Sequence, residues 1–235
     1  MDLTRTFVAV EISPAVCGRA AEIIKRLQAS NANVSWVKPK NLHVTLKFLG
    51  NVPSIELVQV CRVVEAAVKD FEPFELVYRG IGAFPSVQQP RTIWMGVDQG
   101  AEEIVQLQDR VDEALKKLRF PREPRKFQPH LTLGRVRDEG PAVEELSRLI
   151  EKYSNWEGDL SIIDEVVTFS SERVHGGPQY DVIGHTMLGK PSRHQKKDRD
   201  FDAHEITEMD FENLADLDEA FDDDESDDDN ARDAR

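Results

Sequence analysis

Two short segments of the sequence share one pattern: a histidine, an apolar residue, a threonine and a leucine. The copies read HVTL, beginning at His43, and HLTL, beginning at His130. Each lies in a run of apolar and β-branched residues that predicts a strand, and residues i and i+2 of a strand share a face. His43 and Thr45 therefore point to one side together, as do His130 and Thr132, while the apolar residues of both copies point into a core.

This combination of side chains suits acid–base chemistry at a phosphate. The unperturbed pKa of an imidazole is about 6.5, so it can donate or accept a proton near neutral pH. If the two strands face each other, one histidine can protonate a leaving oxygen while the other takes a proton from water. The threonine hydroxyls can hydrogen-bond the non-bridging oxygens of the phosphate and orient it for attack. We expect such a site to use no metal ion and no cofactor.

Two other interpretations of the histidines carry less weight. A single strand histidine is more often structural than catalytic, but the duplication of the whole pattern argues against that explanation. A metal site would need further ligands, and residues 1–189 hold only two more histidines, His175 and His185, with no HExxH or clustered Cys/His pattern. Cys17 and Cys61 lie far apart in predicted helices, which favours two reduced thiols without a catalytic role.

The elements around the motifs mix strands and helices. The strands follow one another too often for a doubly wound parallel sheet, so we predict an α+β fold of antiparallel strands with helices outside. The segment 80–90, which contains glycine and proline, is predicted to be a loop. Predicted strands cover residues 4–12, 34–37, 42–49, 74–78, 92–97, 130–136, 160–170 and 180–188, and predicted helices cover 14–29, 53–68, 102–118 and 141–153.

The charge is distributed unevenly along the chain. The whole sequence has 44 acidic and 30 basic residues, net −14, yet residues 200–235 alone hold 17 acidic and 2 basic residues, net −15. The remainder is near neutral, so the acidic average does not exclude a nucleic-acid ligand. We predict a folded domain over 1–189 and an acidic, mostly disordered tail over 190–235 that could bind an unidentified protein partner. Basic residues that could line the approach to the site are Lys38, Lys40, Lys47, Arg122, Arg125, Lys126 and Arg135.

Targeting signals are absent from the sequence pattern. The apolar run from Phe7 to Val10 is too short for the core of a signal peptide. No later stretch approaches the roughly 20 apolar residues that span a bilayer. We therefore expect a soluble, cytoplasmic protein that acts as a monomer and has no membrane partner.

Strings on both sides of the two motifs give the sequence a family resemblance. In order, they are RTFVAVEIS, WVKPKNLHVTLKFLG, GIGAFPSVQQPRTIWMGV, FQPHLTLGRV and DEVVTFSSERVHGGPQYDVI, and they cover nearly all of residues 4–189. The sequence resembles the two-histidine phosphoesterases and, within them, the RNA 2′,3′-cyclic phosphodiesterases, historically named 2′-5′ RNA ligases. The resemblance implies a bilobal fold in which two similar lobes face each other and one H-x-T strand from each lines a central cleft.

The resemblance also implies roles for the motif residues. His43 corresponds to the general acid that protonates the leaving 3′ oxygen, and His130 corresponds to the base that activates water, which gives a 2′-phosphate product. Thr45 and Thr132 correspond to phosphate-orienting residues. The sequence alone does not decide which histidine is the acid, because both motifs present the same groups. The ligands would be RNA or oligonucleotide ends that carry a 2′,3′-cyclic phosphate.

Five further residues are weaker site candidates. Arg135 could reach the phosphate or the next nucleotide, although it has the wrong strand parity unless a bulge near Gly134 re-aims it. Candidates for stacking on a base are Phe7, Phe48, Phe84 and Tyr180. The H-x-T pair specifies phosphate chemistry and not the nucleoside, so a phosphoesterase acting on another cyclic phosphate or on a 2′-5′ linkage, including reversible 2′-5′ ligation, is an alternative. A non-catalytic RNA-end-binding protein is another.

Overall fold

Two antiparallel sheets with α-helices packed against them make up the fold. The computed structural model describes residues 2–175 and 177–189 of the 235-residue chain. The predicted acidic tail, residues 190–235, lies outside the described residues. The α+β class and the two-lobed arrangement are confirmed.

The helices and strands follow one another along the chain in a mixed order. The strands are β1 (Leu3–Glu11), β2 (Val34–Trp36), β3 (His43–Pro53), β4 (Phe74–Pro85), β5 (Pro90–Val97), β6 (His130–Val136), β7 (Glu157–Ile163), β8 (Glu165–Val174) and β9 (Gly177–Met187). The helices are α1 (Pro14–Gln28), α2 (Leu57–Val68), α3 (Ala101–Lys116) and α4 (Pro141–Lys152).

The two sheets are built from interleaved parts of the chain. The first sheet has the strand order β3-β1-β8-β9, and the second has the order β2-β6-β5-β4-β7. The first H-x-T motif begins β3, at an edge of the first sheet, and the second begins β6, inside the second sheet. β3 and β6 contact each other, so the two strands that carry the motifs meet where the sheets meet.

The helices cover the outer faces of the sheets. Helix α2 contacts β9 and helix α3 contacts β3 of the first sheet, whereas α1 contacts β7 and α4 contacts β4 of the second. The buried apolar residues of α3 recur every three or four positions, as an amphipathic helix requires: Ile104, Leu107, Val111 and Leu115. One continuous hydrophobic core joins both lobes. In the described ranges, no helix combines the length and apolar content needed to cross a membrane.

The single strand predicted over residues 160–170 is wrong. The structure has two strands there, because β7 ends at Ile163 and pairs with β4 while β8 begins at Glu165 and pairs with β1 and β9. Leu160 and Ile162 are 41% and 67% exposed. These two residues of the edge strand β7 are as apolar as the buried residues of β8. Hydrophobicity alone therefore does not show that the chain passes from one sheet to the other between them.

Two other predicted boundaries are also wrong. Segment 80–90 is not simply a loop, since β4 continues to Pro85 through Gly80, whose φ of 78° accommodates an irregularity in the pairing with β5. Helix α2 begins at Leu57, not at residue 53, because Leu3 of β1 pairs with Pro53 and holds β3 extended to that point. A single 3₁₀ turn, Ser54–Glu56, then leads into the helix.

Candidate active site

The two motifs place their polar side chains on one face of each strand. Val44, Leu46, Leu131 and Leu133 are at most 2% exposed and belong to the core. The histidines and threonines between them are only partly buried and face the cleft between the sheets. The strand parity predicted from the sequence is therefore confirmed in both copies.

Each motif strand contains a β-bulge one residue after its threonine. In β3 the extra residue is Leu46, which has no Cα partner in β1, and in β6 it is Leu133, which has none in β5. A bulge places two consecutive residues toward one face and reverses the alternation beyond it. The two lobes therefore share the motif and also the same departure from regular strand geometry.

The bulges decide which later residues reach the cleft. The residues four positions after each histidine, Lys47 and Gly134, lie on the buried side, while those five positions after it, Phe48 and Arg135, are exposed on the cleft side. The condition under which Arg135 could reach the site, a bulge near Gly134, is met. In the second lobe this position offers a guanidinium, and in the first it offers an aromatic ring that is 57% exposed.

His43 is held by hydrogen bonds at both ring nitrogens. Nδ1 lies 2.8 Å from the Asn41 carbonyl oxygen, which can only accept, so Nδ1 carries the proton of the neutral ring. Nε2 lies 3.0 Å from Thr45 Oγ1. The Asn41 side chain is itself fixed, because Nδ2 donates to the Pro178 carbonyl oxygen at 2.9 Å. Burial lowers the pKa of His43 to about 4, opposed only in part by the bond to the Asn41 backbone.

His130 has the same tautomer. Its Nδ1 donates to the Gln128 carbonyl oxygen at 2.8 Å, so Nε2 is the free acceptor on the neutral ring. The edge of the ring meets Phe84, with ring centroids 5.1 Å apart. Burial lowers the pKa of His130, and the positive charge of Arg135 lowers it further, against the opposing effect of the bond to Gln128.

An aromatic cluster forms the floor of the cleft beneath His43. Phe7 stacks on the His43 ring at 4.8 Å and on Phe169 at 5.2 Å, while Tyr180 meets the His43 ring edge-on at 5.4 Å. Phe7 is 3% exposed. The prediction that Phe7 stacks on a base is therefore wrong, because protein rings cover its faces and it packs against the catalytic candidate instead.

The other stacking candidates keep accessible surface. Phe48 is exposed beside Phe7, and Phe84 and Tyr180 are half-buried. Charges from both sheets act on Tyr180. Burial raises the pKa of its phenol, and the positive charges of Arg135 in the second sheet and Arg5 in the first oppose that rise. Both guanidinium groups therefore lie close enough to act on the phenol.

Sequence reasoning missed Trp94, which lies on the cleft face of the second sheet. Trp94 pairs directly with Thr132, and its ring packs against Phe84 with centroids 5.2 Å apart. The indole lies flat on the backbone of Gly82, where an added Cβ would come within 2.4 Å of the ring. The sequence feature that could have indicated this packing is a pair of glycines, Gly82 and Gly96, that leave room for the indole. Their positions beside Trp94 follow from the pairing register of β4 and β5, which the sequence alone does not give.

Two of the basic residues expected to line the approach are used elsewhere. The Lys47 side chain is 1% exposed and bonds to Asp112 Oδ1 and, at 2.7 Å, to the Pro121 carbonyl oxygen. Arg122 binds the other carboxylate oxygen of Asp112 at 3.1 Å and Asp109 at 2.7 Å. These residues hold the segment before β6 against β3 and α3, and do not offer free charge to a ligand.

Side chains that could ligate a metal ion do not come together in the cleft. Over 2–175 and 177–189, no group of three or more histidine, cysteine, aspartate or glutamate side chains is placed to share an ion. The arrangement that the cleft does offer is two imidazole Nε2 atoms, two threonine hydroxyls and one guanidinium. That set can transfer protons and bind a phosphate anion.

Solved structures of other proteins share this fold. The fold is similar to a crystal structure of a Thermus thermophilus protein, with a TM-score of 0.67 at 24% identity over 80% of this chain and 100% of the other. It is also similar to Escherichia coli LigT in complex with 3′-AMP, with a TM-score of 0.58 at 22% identity over 79% and 98% of the chains. These two similarities show a shared fold of two sheets with helices packed outside.

Sequence similarity identifies the family of the chain. The family model described as the 2′-5′ RNA ligase superfamily matches residues 13–172. An Aquifex aeolicus protein named RNA 2′,3′-cyclic phosphodiesterase is 31% identical over 80% of this chain and 100% of its own length. A Methanothermobacter thermautotrophicus protein of the same name is 36% identical over 75% and 94%. The chain belongs to the 2′-5′ RNA ligase superfamily, as the sequence resemblance indicated.

Proposed function

We propose that this protein is an enzyme that hydrolyses the 2′,3′-cyclic phosphate at the end of an RNA to a 2′-phosphate, with residues 1–189 as the catalytic domain. The relatives that match most of the chain carry the name of this activity. The observation that carries the proposal is the pair of motif histidines, each with Nδ1 bonded to a backbone carbonyl, so that Nε2 is the nitrogen that can transfer a proton; Nε2 of His43 lies 3.0 Å from the Thr45 hydroxyl. The chain would act as a cytoplasmic monomer.

The reaction needs one proton taken and one proton given. Nε2 of His130 takes a proton from water as its oxygen attacks phosphorus, and the bond from phosphorus to the 3′ oxygen breaks. Nε2 of His43 gives a proton to that oxygen, which leaves a 2′-phosphate monoester and a 3′ hydroxyl. Thr45, Thr132 and Arg135 bind the non-bridging oxygens, on which negative charge increases in the transition state.

The protonation of the histidines has a consequence for this assignment. In the ligand-free protein burial lowers the pKa of both histidines, that of His43 to about 4, so His43 is neutral near pH 7. His43 acts as the acid if the bound cyclic phosphate, an anion beside Nε2, raises its pKa and draws the proton to it. We propose that substrate binding sets the protonation state that catalysis uses.

The pH dependence of the reaction should reflect these shifts. Both pKa values lie below the ordinary value of about 6.5 in the free enzyme, so the singly protonated pair becomes rarer as pH rises above the higher of them. We expect the alkaline limb of the kcat/KM profile to lie below about pH 6.5. The alkaline limb of kcat should lie at higher pH, because the bound anion raises both pKa values.

Initial rates with a mononucleoside 2′,3′-cyclic phosphate across the pH range test this expectation. The variant Arg135→Gln should move the alkaline limb of kcat/KM upward, because it removes a positive charge that lowers the pKa of His130. A kcat/KM that is still rising above about pH 7 in the wild-type enzyme would contradict the protonation scheme.

The proposed function is tested by supplying an RNA that ends in a 2′,3′-cyclic phosphate in the presence of excess EDTA. All groups assigned to the reaction are side chains, so the rate should be the same with and without the chelator. The expected result is complete ring opening under both conditions. Activity that EDTA abolishes and a divalent ion restores would overturn the two-histidine scheme.

A further inference from the structure

The cleft face of β1 carries opposite charges at its two ends. Side chains alternate along β1, so the residues that share a face with the buried Phe7 and Ala9 are Arg5 at one end and Glu11 at the other. The pairing irregularities between β1 and β3 place the extra residues in β3, so the alternation of β1 is unbroken. Arg5 and Glu11 are both exposed.

The Arg5 end has the composition of an RNA-binding surface. Phe48 pairs with Phe7 and is 57% exposed, next to the Arg5 position on the same face. Arg135 lies on the facing sheet, and its charge, like that of Arg5, lowers the pKa of the Tyr180 phenol. Two guanidinium groups, a phenol and an accessible ring can bind a phosphodiester and stack on a base.

The Glu11 end has the opposite character. Glu11 pairs with His43, and partial burial of its carboxyl group, together with the negative charge of Glu165 on the neighbouring strand β8, raises the pKa of Glu11. His185 Nδ1 lies 3.3 Å from Glu165 Oε2, and when His185 is protonated its positive charge opposes the rise in the pKa of Glu11 without cancelling it. A phosphodiester placed at this end would meet two carboxylates at close range, which is unfavourable.

A terminal 2′,3′-cyclic phosphate continues into RNA in one direction only, toward the 5′ side. We infer that the phosphodiester immediately 5′ of the terminal nucleotide lies at the Arg5 end, beside Arg135 and Tyr180, and that Glu11 and Glu165 close the opposite end to the RNA backbone. The inference rests on the proposed function. Arg5 is then a residue that determines the preference for oligonucleotides over mononucleotides.

Two substrates and two matched variants test this inference. The substrates are a mononucleoside 2′,3′-cyclic phosphate with a free 5′ hydroxyl and a trinucleotide with the same terminus. Arg5→Gln should lower the ratio of kcat/KM for the trinucleotide to kcat/KM for the mononucleotide about 3- to 10-fold at low salt. The slope of log kcat/KM against log salt for the trinucleotide should become shallower by about 0.7.

The control is Arg148→Gln, which removes the same charge from an exposed site on α4 that pairs with Glu145. It should leave the ratio and the salt slope at their wild-type values. If Glu11→Gln raises the trinucleotide ratio more than Arg5→Gln lowers it, the RNA crosses the other end and the inference is wrong. An unchanged ratio in Arg5→Gln would also overturn it.

A binding measurement separates failure of this inference from failure of the proposed function. The dissociation constant of a trinucleotide that ends in a 2′-phosphate, measured by calorimetry, needs no turnover. Arg5→Gln should weaken this binding about 3- to 10-fold, and Arg148→Gln should not. If the wild-type protein binds the trinucleotide but opens neither cyclic phosphate, the proposed function fails, whereas equal binding by Arg5→Gln and wild type rejects the inference alone.

Discussion

Replacing His43 or His130 with alanine is expected to lower kcat for a mononucleoside 2′,3′-cyclic phosphate by about 100- to 10,000-fold. Each imidazole transfers one proton in the same step, so the loss of either removes most of what the pair contributes. The double variant should therefore lose much less than the product of the two single effects. Steady-state kinetics of the three variants check this expectation, with circular dichroism to confirm folding.

The matched control is His185→Ala, because this imidazole is largely exposed and bonds to Glu165 rather than to either motif. It should retain near-normal kcat. If His43→Ala or His130→Ala keeps near-normal turnover, that histidine takes no part in proton transfer.

The acid and the base can be told apart by the leaving atom. With sulfur in place of the bridging 3′ oxygen, the leaving group needs no proton, so a missing general acid matters little. His43→Ala should then lose far less activity with the 3′-thio substrate than with the oxygen substrate, while His130→Ala should lose as much with both. The reverse pattern would exchange the two roles.

Removing one partner of the Lys47–Asp112 pair is expected to lower the free energy of unfolding by about 3–5 kcal/mol. The side chains are 1% and 4% exposed, so Asp112→Ala leaves an ammonium buried with the Pro121 carbonyl oxygen as its one remaining partner among the described residues. Lys47→Ala should cost less than Asp112→Ala, because Arg122 still binds the remaining carboxylate. Denaturant unfolding of both variants measures the difference.

The apolar double variant Lys47→Met/Asp112→Leu controls for charge. It removes both charges from the buried site, so it should recover much of the stability that either single alanine variant loses. A loss below about 1 kcal/mol in Asp112→Ala would show that the pair is solvated and does not hold the connection to β6 in place.

The sequence predicted the part of the site that depends on one strand at a time. His43, Thr45, His130 and Thr132 share their faces because alternation is a local property of a strand, and the buried leucines follow from the same rule. The duplicated motif also indicated the family. For Arg135 the sequence predicted a place in the site only if a bulge lies near Gly134. A bulge is defined by the pairing of two strands, and the pairing of β6 with β5 is not visible in the sequence of β6 alone.

Residues whose roles depend on packing between elements were missed or misassigned. Regular alternation from His43 would place Lys47 on the exposed face of β3. The bulge at Leu46 turns its side chain to the buried face, where it bonds to Asp112 on α3. Phe7 has the pattern of any strand aromatic, and its contact with His43 joins residues of two strands, β1 and β3. The place of Trp94 in the site depends on the pairing of β4 with β5, which sets Gly82 opposite the indole.

The position of the phosphate in the product tests the central claim most directly. An RNA with a terminal 2′,3′-cyclic phosphate is treated with the enzyme in ¹⁸O-labelled water, and the product is analysed by ³¹P NMR and mass spectrometry. The two-histidine scheme predicts a 2′-phosphate that contains one ¹⁸O atom, because water attacks phosphorus and the 3′ oxygen leaves. A 3′-phosphate, or a cyclic phosphate that stays closed, would contradict the account.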